Sequence, residues 1–127
     1  MTSSTKFHSP QSYLIIARCS PYGSQQARAA LDIALTAAAF EQPISVVFMD
    51  AGVLQLLKDQ QADAGEMKNI GKIITALNLY EVENIMVHQE SVDKYDLDTT
   101  EFVEAVEVVT NADIKSLIAG ADQVMVF

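Results

Sequence analysis

The chain has 127 residues, half of them hydrophobic, with one cysteine, two histidines and a formal net charge of −9. One cysteine excludes an internal disulfide and a cysteine-based zinc site, and fits a reducing compartment. The excess of acidic over basic side chains argues against direct nucleic-acid binding, and no apolar stretch approaches a membrane span. We therefore expect a cytoplasmic protein that contacts neither membrane nor nucleic acid directly and holds no metal or cofactor.

The first part of the sequence predicts a tail, a strand and a helix. Residues 1–11 are polar and predict a flexible N-terminal tail, which leaves residues 12–127 as one domain. Residues 12–18 are almost continuously apolar, which is typical of a strand buried on both faces. Alanine and leucine at helical spacing from Ala27 to Ala38 predict a helix capped by Ser24.

The middle of the sequence repeats this alternation. Residues 44–49 predict a second strand, a turn follows at 50–52, and residues 53–57 predict a short helical segment. Apolar side chains spaced from Met67 to Leu77 predict another helix, and residues 84–88 predict the third strand.

The last part predicts two more strands around a helix. Residues 91–102 are acidic and predict an irregular segment with room for one helical turn, and residues 103–109 predict the fourth strand. Asn111 is expected to cap a helix with Leu117 and Ile118 turned inward, ending at Gly120. Residues 123–127 predict an apolar fifth strand, which we expect inside the sheet or at a subunit contact.

Strands alternating with helices are typical of an α/β protein. The order of the predicted elements indicates a single three-layer, flavodoxin-like domain with a mostly parallel, five-stranded sheet. In such sheets ligands and chemistry gather at the carboxyl ends of the strands.

Cys19 is the candidate nucleophile because it follows the first strand and precedes a helix. Free N–H groups at a helix N-terminus can stabilise a thiolate, so Cys19 is a candidate sulfur carrier. The alternative is a small, buried structural residue. Strand alternation would turn the adjacent Arg18 to the opposite face. The turn at residues 20–24 could bind an anion, or could be purely structural.

Other polar groups have two interpretations each. His88 and Glu90 near the end of the third strand could form an acid–base pair, or His88 could be a half-exposed residue where a strand ends. Asp32 and Asp50 are not paired by their spacing. The acidic run at residues 90–107 forms either a solvated face or a docking surface for a basic partner; its acidic residues are Glu90, Asp93, Asp96, Asp98, Glu101, Glu104 and Glu107.

Four segments together resemble the DsrE/DsrF-like proteins, and within that family the TusC/DsrF branch. The resemblance covers nearly the whole chain from Tyr13 onward. The matching segments are Ser20–Asp32, Phe48–Leu57, Leu77–Glu83 and Ala121–Phe127.

The resemblance implies a subunit of a sulfur-relay complex. Such complexes pass persulfide sulfur towards 2-thiolation of tRNA or serve sulfur oxidation, and they assemble from two copies each of three related subunits. The family's sulfur-accepting cysteine lies near the end of the third strand of the TusD/DsrE-type subunit. Residues 84–92 of this chain contain no cysteine, which implies a partner subunit without its own catalytic cysteine.

This interpretation predicts an interaction subunit joined to related DsrE-family chains, with a homo-oligomer as the other possibility. The expected interface anchors are Tyr22, Gly23, Tyr80 and Phe127. Two alternatives remain open: a sulfurtransferase that uses Cys19, and a flavodoxin-like module that binds a small molecule.

Overall fold

The computed structural model of the protein describes residues 12–20, 25–57, 64–80, 82 and 84–127. Its regular elements follow the predicted alternation of strands and helices. They are β1 (Tyr13–Ala17), α1 (Gln26–Ala39), β2 (Ile44–Phe48), α2 (Ala64–Leu79), β3 (Asn84–His88), α3 (Gln89–Lys94), β4 (Glu107–Val109), α4 (Asn111–Gly120) and β5 (Gln123–Val126). Two 3₁₀ helices are also present in this part of the chain, at Asp50–Leu56 and Thr99–Glu101.

The strands form one sheet in the order β4-β3-β2-β1-β5. Every neighbouring pair of strands is parallel, with Tyr13 of β1 opposite Ile44 of β2 on one side and Gln123 of β5 on the other. The predicted α/β class with a five-stranded parallel sheet is therefore confirmed for the described residues. All strand carboxyl ends meet at one edge of the sheet, which we call the carboxyl edge.

Helices cover both faces of the sheet and make three layers. On one face, small side chains of α1 allow close packing against β1 and β2, together with Ile74 and Leu77 of α2. On the other face, Ile114 of α4 packs on the second cluster. That cluster contains Leu14, Ile16, Val47, Met86 and Val109.

Gly52 fixes the start of the first 3₁₀ helix against β1. A Cβ atom at Gly52 would lie 2.0 Å from the backbone oxygen of Ala17, a distance that no side chain tolerates. The same oxygen accepts the Met49 N–H at 3.0 Å. Glycine at this position therefore lets the chain after β2 turn directly over the end of β1.

The fourth strand begins later than predicted. Residues 103–106 are not part of it, because Phe102 forms a bridge with Leu57 and the Val103 N–H donates to the Leu56 oxygen at 2.7 Å. These residues pair with the end of a 3₁₀ helix and not with β3. Only Glu107–Val109 continue the sheet. The acidic segment before them is also more regular than predicted, since it contains α3 and the second 3₁₀ helix.

The helix caps and one inward residue also differ from the prediction. Thr110, and not Asn111, caps α4 in a capping box with Asp113. The N-cap of α1 is Gln25, and the predicted cap Ser24 lies outside the described residues. Ile118 is 44 % exposed instead of inward, because β5 is an edge strand and leaves less sheet beneath this part of α4.

Candidate functional site at the carboxyl edge

An open groove of about 530 Å³ lies at the carboxyl edge of the sheet. It is lined by residues 18–19 after β1, 50–51 after β2, 94–95 at the end of α3, and 126–127 at the end of β5. These four segments are distant in sequence. They meet here because β1, β2, β3 and β5 belong to one parallel sheet, so their carboxyl ends lie at the same edge.

The groove coincides with the point where the strand order reverses. From β1 the chain moves through β2, β3 and β4 in one direction, and β5 then lies on the other side of β1. In open parallel sheets a crevice forms at this position and usually holds the ligand or the chemistry. The groove between the ends of β1 and β5 is thus the natural candidate for the functional site.

Arg18 and Asp50 form an ion pair in the groove. The Arg18 Nε donates to the Asp50 Oδ2 at 2.6 Å, and both side chains are about half exposed. Asp50 adopts a left-handed backbone with φ of 51°, which aspartate tolerates better than most residues. Its N–H donates to the Ser91 hydroxyl at 2.8 Å. This bond helps to hold Asp50 where it can fix the guanidinium.

Arg18 was expected on the face opposite Cys19, and this was wrong. β1 ends at Ala17, so strand alternation no longer governs residues 18 and 19, and both line the groove. Lys94 supplies a second cation there, with its Nζ 5.7 Å from the centre of the Tyr95 ring. The groove therefore combines two exposed cations, one carboxylate and aromatic walls.

Cys19 is half-buried, and both its thiol and its backbone are held. The Sγ donates to the Gln26 Oε1 at 3.1 Å, at the first turn of α1. The Cys19 carbonyl accepts a hydrogen bond from the Gln55 Nε2 at 2.9 Å. Gln55 is 1 % exposed, and its Oε1 has no hydrogen-bond partner within the described chain. The sequence signal that was missed is this single polar residue within an otherwise apolar run.

His88 is buried at the end of β3 and does not face Glu90 directly. Its Nδ1 lies 2.8 Å from the Ser91 hydroxyl and its Nε2 lies 2.6 Å from the Asn111 Oδ1. The Asn111 Nδ2 in turn donates to the Glu90 Oε1 at 3.0 Å. The expectation of a half-exposed histidine is wrong, since His88 is only 5 % exposed. This network connects β3, α3 and α4.

The predicted interface residues do not all lie together. Phe127 lines the groove beside Cys19. Tyr80 follows α2 near the amino ends of the strands, away from the groove, and is 54 % exposed. Tyr22 and Gly23 lie outside the described residues, as does most of the turn at residues 20–24. The four anchors, and the binding-module alternative that depended on this turn, stay predictions.

Within the described residues, no group of three or more His, Cys, Asp or Glu side chains is arranged to hold a metal ion. In the same part of the chain, no helix has both the length and the apolar character needed to cross a membrane.

The family model described as DsrE/DsrF-like matches residues 11–127. The chain belongs to the DsrE/DsrF-like family. It is 35 % identical to a Pseudomonas aeruginosa protein named TusC homolog, over 91 % of this chain and 97 % of that protein. It is 32 % identical to the Allochromatium vinosum intracellular sulfur oxidation protein DsrF, over 91 % of this chain and 95 % of that protein. The predicted family and its TusC/DsrF branch are confirmed.

Solved structures of other proteins have the same fold. The ychN protein from E. coli superimposes with a TM-score of 0.76 at 23 % sequence identity, over 92 % of this chain and 99 % of that one. A conserved protein of unknown function from Bacteroides thetaiotaomicron superimposes with a TM-score of 0.66 at 12 % identity, over 91 % and 94 %. These similarities support the fold alone.

Proposed function

We propose that this chain is the TusC/DsrF-type subunit of a sulfur-relay complex in the cytoplasm, and that it does not carry sulfur itself. Its relatives are named TusC homologs and DsrF, an intracellular sulfur oxidation protein. The complex would serve either 2-thiolation of tRNA or sulfur oxidation. The partner is a related DsrE-type subunit that carries the reactive cysteine.

The observation that carries the proposal is the groove at the carboxyl edge. Its cations, Arg18 and Lys94, lie on an open surface whose walls include Tyr95 and Phe127. Thiolates and persulfide anions are stabilised by nearby cations. Aromatic residues and arginine are also enriched at protein interfaces. The groove therefore suits a partner segment that presents an anionic sulfur atom.

The Arg18–Asp50 pair gives the groove a defined geometry. Asp50 engages the Arg18 Nε, so the terminal guanidinium nitrogens remain to face an incoming anion. We infer that Arg18 positions and stabilises the partner's sulfur, while Asp50 orients Arg18. The chain thus supplies shape and charge around the reacting group and leaves the covalent chemistry to the partner.

The test is complex formation with the cysteine-bearing relative, measured by isothermal titration. Arg18→Ala is expected to weaken binding, and Arg28→Ala is a matched control. Both arginines are about half exposed and both are paired with an aspartate, but Arg28 lies on α1 away from the groove. Equal affinities for the two variants would contradict the role of the groove.

A second pair of variants shows whether the partner binds at the carboxyl ends of the strands or at their amino ends. Phe127→Ala removes an apolar wall of the groove, and Tyr80→Ala removes an exposed ring near the amino ends. Loss of affinity for Phe127→Ala places the partner at the carboxyl edge. Loss for Tyr80→Ala as well requires a partner that also reaches the amino ends. No loss for either variant would contradict both anchors.

The position of Cys19 favours a second candidate function, that of a sulfur carrier. Its half-buried thiol lines the same groove. As a carrier, its thiolate attacks the outer sulfur of a donor persulfide; the new sulfur–sulfur bond forms as the donor thiolate leaves. Mass spectrometry of the protein after incubation with a persulfide donor distinguishes the candidates. A persulfide adduct on Cys19, and loss of transfer in Cys19→Ser, would favour this second function.

A further inference from the structure

His88 and Ser91 form a buried pair with the geometry of a base and a nucleophile. The His88 Nδ1 lies 2.8 Å from the Ser91 hydroxyl, and the His88 Nε2 lies 2.6 Å from the Asn111 Oδ1. A histidine between a hydroxyl and an orienting group is typical of hydrolytic triads. Ser91, however, is only 3 % exposed, and its oxygen accepts the Asp50 N–H. A buried hydroxyl that is already engaged cannot attack a substrate, so the pair has another role.

Glu90 fixes which way the Asn111 amide points. A carboxylate only accepts hydrogen bonds, so Asn111 must turn its Nδ2 towards the Glu90 Oε1, at 3.0 Å. The Asn111 Oδ1 then faces the His88 Nε2. Because an amide oxygen also only accepts, the proton of the neutral imidazole must lie on Nε2. The outer end of the network therefore selects one tautomer of His88.

This tautomer determines the direction of the inner hydrogen bonds. With the proton on Nε2, the His88 Nδ1 is an acceptor, and the Ser91 hydroxyl must donate to it. The hydroxyl hydrogen is thus directed at His88, and a lone pair of the Ser91 oxygen remains for the Asp50 N–H at 2.8 Å. A serine hydroxyl otherwise rotates to suit any neighbour. His88 removes that freedom and makes Ser91 a fixed acceptor for Asp50.

Asp50 needs a fixed acceptor because its backbone is strained. Its φ of 51° lies in the left-handed region, which a residue other than glycine keeps only when its surroundings hold it there. Strain of this kind clusters at functional sites. The Asp50 carboxylate accepts the Arg18 Nε–H at 2.6 Å, and both residues line the groove. The backbone conformation of Asp50 therefore determines where the Arg18 guanidinium lies.

We propose that His88 is a positioning residue for the groove. Through Ser91 it holds the Asp50 backbone in its left-handed conformation, and through Asp50 it orients Arg18. His88 itself is buried and does not line the groove, so it acts only through these neighbours. The role of Arg18 towards a partner's anionic sulfur rests on the proposed function. The positioning of Arg18 does not, and it can be measured on the chain alone.

The first test is the tautomer of His88, which nitrogen NMR of the imidazole ring reports directly. In mildly alkaline buffer, where a model imidazole is neutral, the proton is expected on Nε2. A His8→Gln background removes the signal of the other histidine. A proton on Nδ1 would overturn the proposal, because Ser91 would then accept from His88 and its own hydrogen would be free to rotate.

The second test compares two replacements of nearly the same shape. His88→Asn and His88→Leu both remove the contact with Asn111, but only asparagine keeps an acceptor near the position of Nδ1 for the Ser91 hydroxyl. A role through packing alone would affect both variants equally. Circular dichroism establishes that both variants are folded, and Ser91→Ala is a further variant that removes the acceptor of the Asp50 N–H while it keeps the imidazole.

The readout is the exchange of the Arg18 Nε–H with solvent, followed by NMR. Arg28 is the other arginine of the chain and is an internal control in the same sample, because its partner is Asp32 on α1. Exchange at Arg18 should be about fivefold faster in His88→Leu and Ser91→Ala than in the native chain, since about one net hydrogen bond is lost. His88→Asn should restore slow exchange, and Arg28 should not change in any variant.

Two results of this second test would overturn the proposal. They are native exchange at Arg18 in both His88→Leu and Ser91→Ala, and equal exchange in His88→Asn and His88→Leu. Titration of the same variants with the cysteine-bearing relative separates the two levels of inference. Faster exchange at Arg18 without a loss of affinity would support the positioning by His88 and contradict the proposed function.

Discussion

Replacing Gly52 by alanine should destabilise the protein and disturb the groove at the same time. The new Cβ would lie 2.0 Å from the Ala17 oxygen, 2.7 Å from the Ala17 carbonyl carbon and 3.2 Å from the Arg18 Cα. All three atoms belong to the backbone at the end of β1, which is buried in the sheet. The clash therefore cannot be relieved by rotating a side chain.

The size of the effect follows from the movement required. Real Cβ contacts essentially never fall below 3.0 Å, so the segment that contains Gly52 must move by about 1 Å in a closely packed region. Forced repacking of this kind costs about 3 kcal/mol. For a domain of this size, that loss lowers the melting temperature by about 10 °C.

Thermal unfolding followed by circular dichroism measures the change, and two other glycines are controls. Gly71→Ala meets nothing closer than the Val103 Cγ1 at 4.0 Å, and Gly120→Ala meets no atom within 4 Å. Both lie in helices, where alanine is favoured over glycine by about 1 kcal/mol. A melting temperature for Gly52→Ala equal to that of the native chain would refute the reasoning.

Three other predictions concern His88, Asp50 and Asp98. His88→Phe leaves the buried Ser91 hydroxyl and Asn111 without their imidazole partner and should cost about 2 kcal/mol in urea unfolding; an unchanged midpoint would contradict the network. Asp50→Val should be less stable than Asp50→Asn by about 1 kcal/mol, because a β-branched residue is strained at φ of 51°; equal stabilities would show that the left-handed backbone carries no strain. Hydrogen bonds from the backbone N–H and then the hydroxyl of Thr100 lower the pKa of Asp98 from 3.8. The ionised Asp98 therefore contributes fully to stability above pH 3.8, and this contribution is lost as the pH falls through the lowered pKa. Asp98→Asn should therefore flatten the acid side of the stability profile, and parallel profiles would contradict this.

Most of the fold was predictable because its elements are encoded locally. The apolar run at residues 12–18 and the alanine-rich spacing of α1 each carry their own periodicity, and both elements are present. The start of β4 was not predictable in this way. Val103 and Val106 have the composition of a strand, but Val103 bonds to Leu56, a partner distant in sequence.

The site was predictable in position but not in composition. The rule that chemistry gathers at strand carboxyl ends directed attention to Cys19, which lines one groove together with the predicted anchor Phe127. Arg18 was misplaced because strand alternation was extended beyond the end of β1. Gln55 was missed because its bond to the Cys19 carbonyl depends on how the 3₁₀ helix packs under β1. Long-range contacts of this kind leave no local pattern in the sequence.

The exposure of Ile118 shows a similar limit. Helical spacing predicts which side chains share a face of α4, but not how much of the sheet lies beneath them. β5 is an edge strand, so the helix face beside it has less sheet to pack against. The resulting exposed patch could be recognised only once the strand order was known.

The most direct test of the central claim is the native mass of this chain co-expressed with a cysteine-bearing DsrE-type relative. We expect a mixed complex with equal copies of each chain, which Arg18→Ala weakens and Arg28→Ala does not. Two chains that remain separate in native mass spectrometry, under conditions where both are folded, would contradict it.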